Sequence, residues 1–265
     1  MSTSVPVPAK LEASDARPLP PLGGFNLTAL TLEIRRVLRN RRTVMFIVVF
    51  PSLFFFMFRS AGGGHGPNSA MIQAYVLISM AVYGAMVGTT AGGAAVAVER
   101  SLGWSRQLRL TPLRPSAYIA MKVVTAMVLG LFAVLSAFAV GALSGVRMAP
   151  SVWLLAGLAA WGSSLVFAAF GLFMGFLLPS ENVMQFVGPM LAILAMGGGL
   201  FVPLKNLPPL MQKIAMFSPA YGVGVISRAP LVGGLSAAAI ASVIGWTVVF
   251  GVGAMLLFRR DTARV

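Results

Sequence analysis

Residues 99–115, ERSLGWSRQLRLTPLRP, lie between two apolar runs, residues 71–98 and 117–144. Each run is long enough to cross a bilayer, because a helix needs roughly 20 apolar residues to span a hydrocarbon core about 30 Å thick. The connecting segment carries four arginines, and short loops rich in Lys and Arg stay on the cytoplasmic side. The pattern predicts two membrane helices joined by a basic cytoplasmic loop.

The composition is typical of an integral membrane protein. Hydrophobic residues make up 58% of the 265 and charged residues only 10%, with a mean hydropathy of +0.88, whereas soluble domains are about 25% charged. The net charge of +14 comes from basic residues near the ends of apolar runs. This placement indicates topology anchors and contacts to anionic lipids, not nucleic-acid binding. The chain has no cysteine, which excludes disulfides and thiolate chemistry.

Apolar stretches of spanning length recur along the chain. The segment before them, residues 1–24, is polar and rich in proline and lacks the features of a secretory signal, which indicates a flexible cytosolic tail. Residues 25–265 are expected to form one transmembrane domain. Its six predicted spans are about 43–59, 71–98, 117–144, 152–178, 183–203 and 236–258.

Residues 27–42 have the pattern of a helix that lies in the membrane interface. Apolar side chains recur there at helical spacing, and most of the arginines fall off that stripe. The predicted fold class is therefore an all-α integral membrane protein with six transmembrane helices and an N-terminal interfacial helix. The stripe is formed by Leu27, Leu30, Ile34, Val37 and Leu38, and the basic residues are Arg35, Arg36, Arg39 and Arg42.

An even number of spans places both termini on the side of the basic loop. In that orientation fifteen of the twenty Lys and Arg residues face the cytoplasm, as the positive-inside bias requires. The distribution predicts cytoplasmic termini in a multi-pass protein of the plasma membrane. The five basic residues on the outer side are Arg59, Arg147, Lys205, Lys213 and Arg228.

Residues 204–235 are apolar but are interrupted by Pro208, Pro209, Pro219 and Pro230, so they cannot form one straight span. Irregular backbone at membrane depth is tolerated only against protein or a water-filled cavity. The segment is therefore expected to form short helices that dip into the outer leaflet and return. This predicts an outer re-entrant helical segment between spans 5 and 6.

Glycines at every fourth position mark close helix contacts. Gly84, Gly88 and Gly92 repeat in the second span, and Gly171 and Gly175 in the fourth. Such spacing lets helix backbones approach one another in a membrane. We expect packing within one subunit and not a subunit interface.

The sequence lacks the motifs for ATP binding, metal binding and proton coupling. There is no phosphate-binding loop of the form GxxxxGK[ST], so any ATP hydrolysis must come from a partner. The one histidine, His65, has no second ligand near it in sequence. No span carries an ionisable residue at its centre; Lys122 comes nearest, and we interpret it as an anchor whose stem reaches the headgroups. No catalytic, cofactor-binding or metal-ligating residue is predicted.

Two segments carry a family resemblance. The first comprises Glu99-Arg100, Gly103, Leu108, Leu110-Thr111-Pro112-Leu113, Tyr118 and Lys122. The second comprises Gly199-Leu200-Phe201-Val202-Pro203-Leu204, Leu207-Pro208, Gln212, Ile214-Ala215, Pro219, Tyr221 and Arg228. In this order, behind an interfacial helix and among six spans, they resemble the type-2 ABC exporter permeases, including the daunorubicin-resistance-like group.

The resemblance implies a transmembrane subunit that binds no cofactor, pairs with a second permease copy and works with separate nucleotide-binding ATPase subunits that hold ATP-Mg. The basic loop would contain the coupling helix that docks on the ATPase. Its candidate residues are Glu99, Arg100, Leu102, Gly103, Trp104, Arg106, Leu108, Arg109, Thr111, Pro112 and Leu113. Those of the outer re-entrant segment are Phe201, Pro203, Leu207, Pro208, Pro219, Tyr221 and Arg228.

The alternative for the basic loop is simple anchoring to lipid headgroups. Coupling is favoured because Glu99, Gly103 and Trp104 are not needed for anchoring. The function expected is ATP-driven export of a lipophilic or amphipathic compound, such as a drug, an antibiotic or a lipid-like molecule. The first alternative is a non-transporting membrane sensor or scaffold that recruits a soluble partner. The second is a secondary carrier, which the missing midplane acids disfavour.

Overall fold

The computed structural model describes residues 25–61, 69–103, 115–204 and 208–263. All regular structure in these ranges is helical. The helices are α1 (Leu27–Leu38), α2 (Arg41–Ala61), α3 (Ser69–Ser101), α4 (Pro115–Leu143), α5 (Pro150–Ser163), α6 (Leu165–Leu177), α7 (Ser180–Gly197), α8 (Pro209–Ala215), α9 (Pro219–Val232) and α10 (Ala237–Ala263).

Five segments of the described chain are long and apolar enough to cross a membrane. They are Arg41–Ser60, Ser69–Ser101, Ser116–Leu143, Pro150–Leu177 and Ala237–Arg260. The all-α membrane fold is therefore confirmed. Helix α7 has 18 residues and is not among the five, so the sixth span stays a prediction.

Helix α3 is the centre of the bundle and packs most extensively against α4 and α6. Its glycines allow this. A Cβ atom on Gly93 would lie 2.6 Å from the carbonyl oxygen of Ala168, and one on Gly171 would lie 2.3 Å from that of Thr90. Gly92 is equally close to Ala126 of α4. Gly92 and Gly171 thus serve contacts inside the chain, as their spacing predicted, and Gly93 does so outside the predicted pattern.

The fourth predicted span is broken near its middle. Helix α5 ends at Ser163, and α6 begins at Leu165 after the buried Ser164. Ser164 donates its hydroxyl to the carbonyl of Trp161 at 2.6 Å, and the Trp161 indole donates to the carbonyl of Met127 on α4 at 2.9 Å. The predicted span at about 152–178 matches the membrane-length segment Pro150–Leu177, but the interruption at Ser164 within it was not predicted.

The proline-rich stretch forms two short helices, as predicted. Helix α8 has Pro209 at its first position and α9 has Pro219, where proline's missing N–H is not needed. The Ser218 hydroxyl caps α9 by accepting the Ala220 N–H. A turn over residues 198–204, with Gly199 at φ +73°, joins α7 to this region. The fifth stretch therefore ends its helix at Gly197, earlier than the predicted 203.

Candidate functional site

The structure describes only the edges of the basic loop. Glu99 and Arg100 lie in the last turn of α3, and Leu102 and Gly103 form the turn behind it, with Gly103 at φ +74°. Leu102 is 75% exposed and so free to meet a partner. Outside the described residues lie Trp104, Arg106, Leu108, Arg109, Thr111, Pro112 and Leu113.

A buried ionic cluster surrounds Glu99. One carboxylate oxygen, Oε1, accepts hydrogen bonds from both Lys122 and Arg36, and Oε2 accepts the Tyr118 hydroxyl at 2.7 Å. Glu33 contributes a second carboxylate that pairs with Lys122 Nζ at 2.5 Å and with Arg36 Nη2 at 2.7 Å. We call these five residues, Glu33, Arg36, Glu99, Tyr118 and Lys122, the Glu99 cluster.

The Glu99 cluster joins three helices at one end of the bundle. Glu33 and Arg36 come from α1, Glu99 from α3, and Tyr118 and Lys122 from α4. Each carboxylate meets both cations, so the charges balance within the cluster. Charges removed from water need such partners, since an unpaired one costs several kcal/mol. Because α3 and α4 flank residues 104–114, the cluster fixes both ends of the basic loop to α1.

Lys122 corrects an expectation from the sequence. Its interpretation as a headgroup anchor was wrong: the residue is 4% exposed and its ammonium pairs with two carboxylates. Glu33 carried the missed signal, because it lies beside Leu30 and Val37 on the apolar stripe of α1, where a carboxylate requires a cation. Which cation it meets depends on how α1 packs on α4, and that is not visible in the sequence.

Arg36 is the member of the Glu99 cluster nearest to solvent, with 56% of its side chain exposed. Burial of the rest lowers its pKa, but the hydrogen bond to Glu99 and the charge of Glu33 outweigh this effect, and the net direction is upward. The guanidinium therefore stays charged and holds both carboxylates.

Arg100 connects the same end of the bundle to α6. Its Nη1 atom donates to the carbonyls of Gly175 and Phe176 at 3.0 and 2.9 Å. These carbonyls belong to the last turn of α6, where no intrahelical N–H remains to satisfy them. A cation there also interacts favourably with the negative end of the helix dipole. Arg100 thus links the end of α3 to the end of α6.

The residues predicted for the outer re-entrant segment form a second constellation. Phe201 packs into an aromatic cluster with Phe54, Phe58 and Tyr83, with its ring centroid 5.0 Å from that of Tyr83. Arg228 is buried and approaches the same turn from α9. Pro219 and Pro208 define helix starts, and Pro203 and Tyr221 are half-buried. Leu207 lies outside the described residues.

The two constellations lie at opposite ends of α3. Tyr75 contacts Arg228, and Glu99 is 24 residues further along the helix, which corresponds to about 36 Å at 1.5 Å per residue. The described part of the chain holds no group of three or more His, Cys, Asp or Glu residues that could bind a metal ion. These features define a multi-pass helical membrane protein with a polar cluster at one end of α3 and the turn and short helices of residues 198–232 at the other.

Comparison with known sequences assigns the family. The sequence model of the ABC-2 type transporter family matches residues 26–229, which is more than half of the chain, so the protein belongs to that family. It is also similar to YvfS of Bacillus subtilis (strain 168), which its name describes as a presumed transport permease. The two are 29% identical over 194 residues, covering 72% of this chain and 79% of YvfS.

Proposed function

We propose that the chain is the permease subunit of an ATP-driven exporter of the plasma membrane, with ATP-Mg bound and hydrolysed in a separate subunit. Membership of the ABC-2 family supports a transport permease. The observation that carries the coupling step is the Glu99 cluster, which ties both ends of the basic loop to α1. The ATPase subunit would dock on residues 99–115.

The cluster suits a device that transmits movement. A contact on the loop between α3 and α4 would displace both helix ends, and the ionic bonds would carry α1 with them. The hydrogen bonds of Arg100 to the end of α6 extend the same unit to a fourth helix. A displacement of the basic loop by the ATPase subunit would therefore move several helices together and would not bend the loop alone.

The other expected partners are a second permease copy and membrane lipids. Large apolar side chains of α2 and α10 are exposed in the single chain, which suits contact with either. Six predicted spans in one chain would make half of a typical exporter, so we propose a homo- or heterodimer. No role for nucleic acid is proposed.

The cargo proposed is lipophilic or amphipathic, such as a drug, an antibiotic or a lipid-like compound. The chain has 18 Phe and 16 Met residues, and flexible thioethers and aromatic rings adapt to varied apolar shapes. Drug efflux and antibiotic resistance would be the physiological roles of such an exporter.

Orientation of the chain has a direct test. Because the protein has no cysteine, Ser105→Cys and Asn206→Cys each introduce a single reactive thiol. An impermeant maleimide added to intact cells is expected to label position 206 and to spare position 105 until the cells are opened. Labelling of position 105 from outside would contradict cytoplasmic placement of the basic loop and of both termini.

Vesicle transport distinguishes the export function from its alternatives. Inverted vesicles containing the chain and its ATPase should accumulate members of a panel of fluorescent lipophilic compounds when ATP is supplied. Accumulation that persists after an ionophore collapses the proton gradient supports the exporter. Loss of accumulation when the proton gradient is collapsed would indicate a secondary carrier. If no compound accumulates, a sensor or scaffold would be favoured.

A further inference from the structure

Arg228 is a buried cation for which the described part of the chain provides no anion. The residue is 4% exposed. The carboxylates of Glu33 and Glu99 pair with other cations in the Glu99 cluster, at the other end of α3. A charged group inside a membrane protein is costly and by default marks a functional site.

The hydrogen bonds of Arg228 use one of its three guanidinium nitrogens. Nη1 donates to the Ser79 hydroxyl at 3.1 Å and to the Gly199 carbonyl at 2.9 Å. The Tyr75 ring centroid lies 4.6 Å from Cζ and contributes a cation–π contact. Among the described residues, Nε and Nη2 have no acceptor, so three N–H donors remain for an external group.

Gly224 lies directly against one of the unused donors of Arg228. A Cβ atom on Gly224 would lie 2.7 Å from Nη2, so glycine at this position keeps that nitrogen clear. The planar guanidinium fork matches the oxygens of a phosphate, sulfate or carboxylate in bidentate fashion. Such an oxyanion would supply both the missing charge and the missing acceptors.

Aromatic residues adjoin Arg228 along one face of α3. Tyr75, Ser79 and Tyr83 recur every fourth residue and therefore share one face of α3. Tyr83 packs against Phe201, and Phe201 lies two residues beyond the Gly199 carbonyl that Arg228 contacts. Phe54, Phe58 and Phe201 are only half-buried. Together these residues form a strip that carries the buried cation at one end, passes the buried Ser79 and Tyr83, and reaches half-buried aromatic rings at the other end.

We propose that this strip binds an anionic amphiphile, with its oxyanion on the Nε and Nη2 donors of Arg228 and its apolar body along the aromatic cluster. This inference rests on the proposed export function for the role of that amphiphile as cargo. Its test needs no ATPase, so failure of the site and failure of the exporter are distinguishable.

The test is photocrosslinking of the purified chain in phosphatidylcholine nanodiscs. The probe is dodecyl phosphate with a diazirine at the end of its chain, and the same diazirine on dodecanol is the neutral control. We expect labelling of residues 75–83 or 199–204 that unlabelled dodecyl phosphate competes away. Arg228→Gln should lower the competable labelling at least tenfold and leave dodecanol labelling unchanged, whereas Arg228→Lys should keep a substantial part of it.

Two further variants make the result specific. Arg147 is an exposed arginine, so Arg147→Gln removes the same charge away from the strip and should label like the unmodified chain. Gly224→Ala keeps Arg228 but places a methyl group beside Nη2, and it should also reduce labelling. Because this variant retains the buried cation, it tests the site even where Arg228→Gln fails to fold.

The competitors identify the source of the anion. Competition by phosphatidylglycerol placed in the nanodisc would assign the strip to an anionic membrane lipid, which is an amphiphile of the proposed class. Equal competition by inorganic phosphate would overturn the proposal, because the apolar body would then contribute nothing. Labelling of Arg228→Gln or Gly224→Ala at the level of the unmodified chain would also overturn it.

Discussion

Glu99→Gln is expected to destabilise the protein by about 3–5 kcal/mol, the usual cost of removing one partner from a buried ion pair. The amide keeps the size of the side chain but removes the charge that both Lys122 and Arg36 share. Lys122, 4% exposed, would then depend on Glu33 alone. Thermal unfolding in a mild detergent measures the loss.

Glu181→Gln is the matched control for this prediction. Glu181 is an exposed acid in the first turn of α7, so the same chemical change there should alter stability by well under 1 kcal/mol. The double variant Glu99→Gln/Lys122→Met should be less destabilised than the sum of its single changes, because no buried cation is left unpaired. Equal stability of the Glu99 and Glu181 variants would refute a structural role for the cluster.

Gly171→Leu is expected to prevent folding. A Cβ atom at this position would lie 2.3 Å from the Thr90 carbonyl oxygen and 2.9 Å from the Thr90 Cα, so α3 and α6 would have to separate along the centre of the bundle. Backbone atoms cannot move aside as a flexible side chain can. Monodisperse protein recovered by size-exclusion chromatography in detergent should fall to background.

Gly162→Leu provides the comparison within the same predicted span. Gly162 is exposed, and a Cβ atom there would meet nothing within 4 Å. This variant should be recovered at the level of the unmodified chain. Normal recovery of Gly171→Leu would mean that α3 and α6 do not pack as closely as described.

The class of fold was predictable from the sequence because bilayer thickness imposes a length on every apolar run. Glycine spacing also indicated close packing within one subunit. The spacing does not predict which residue each glycine contacts, because the contact of Gly171 with Thr90 depends on the relative rotation of two helices. The fourth span was predicted by its length, but hydropathy alone does not show the interruption at Ser164, whose hydroxyl bonds to the Trp161 carbonyl.

The polar sites were harder to predict from the sequence than the membrane spans. Glu99 and Lys122 lie on different helices and meet only after α3 and α4 pack, so neither predicts its partner from sequence. Arg228 was predicted as a residue of the outer re-entrant segment, but its burial against Tyr75 follows from the fold of a proline-rich segment and could not be predicted. The remaining loop residues, from Trp104 to Leu113, are still known only as a sequence pattern.

The most direct test of the central claim is a mild-detergent purification of the tagged chain from its own membranes. Mass spectrometry of the co-purifying subunits and an ATPase assay of the eluate are the measurements. We expect an ATPase subunit to be recovered with the unmodified chain and lost with Trp104→Ala or Leu108→Asp, while both variants still insert in the membrane. A clean eluate without ATPase activity, or equal recovery of the ATPase by both variants, would contradict the claim.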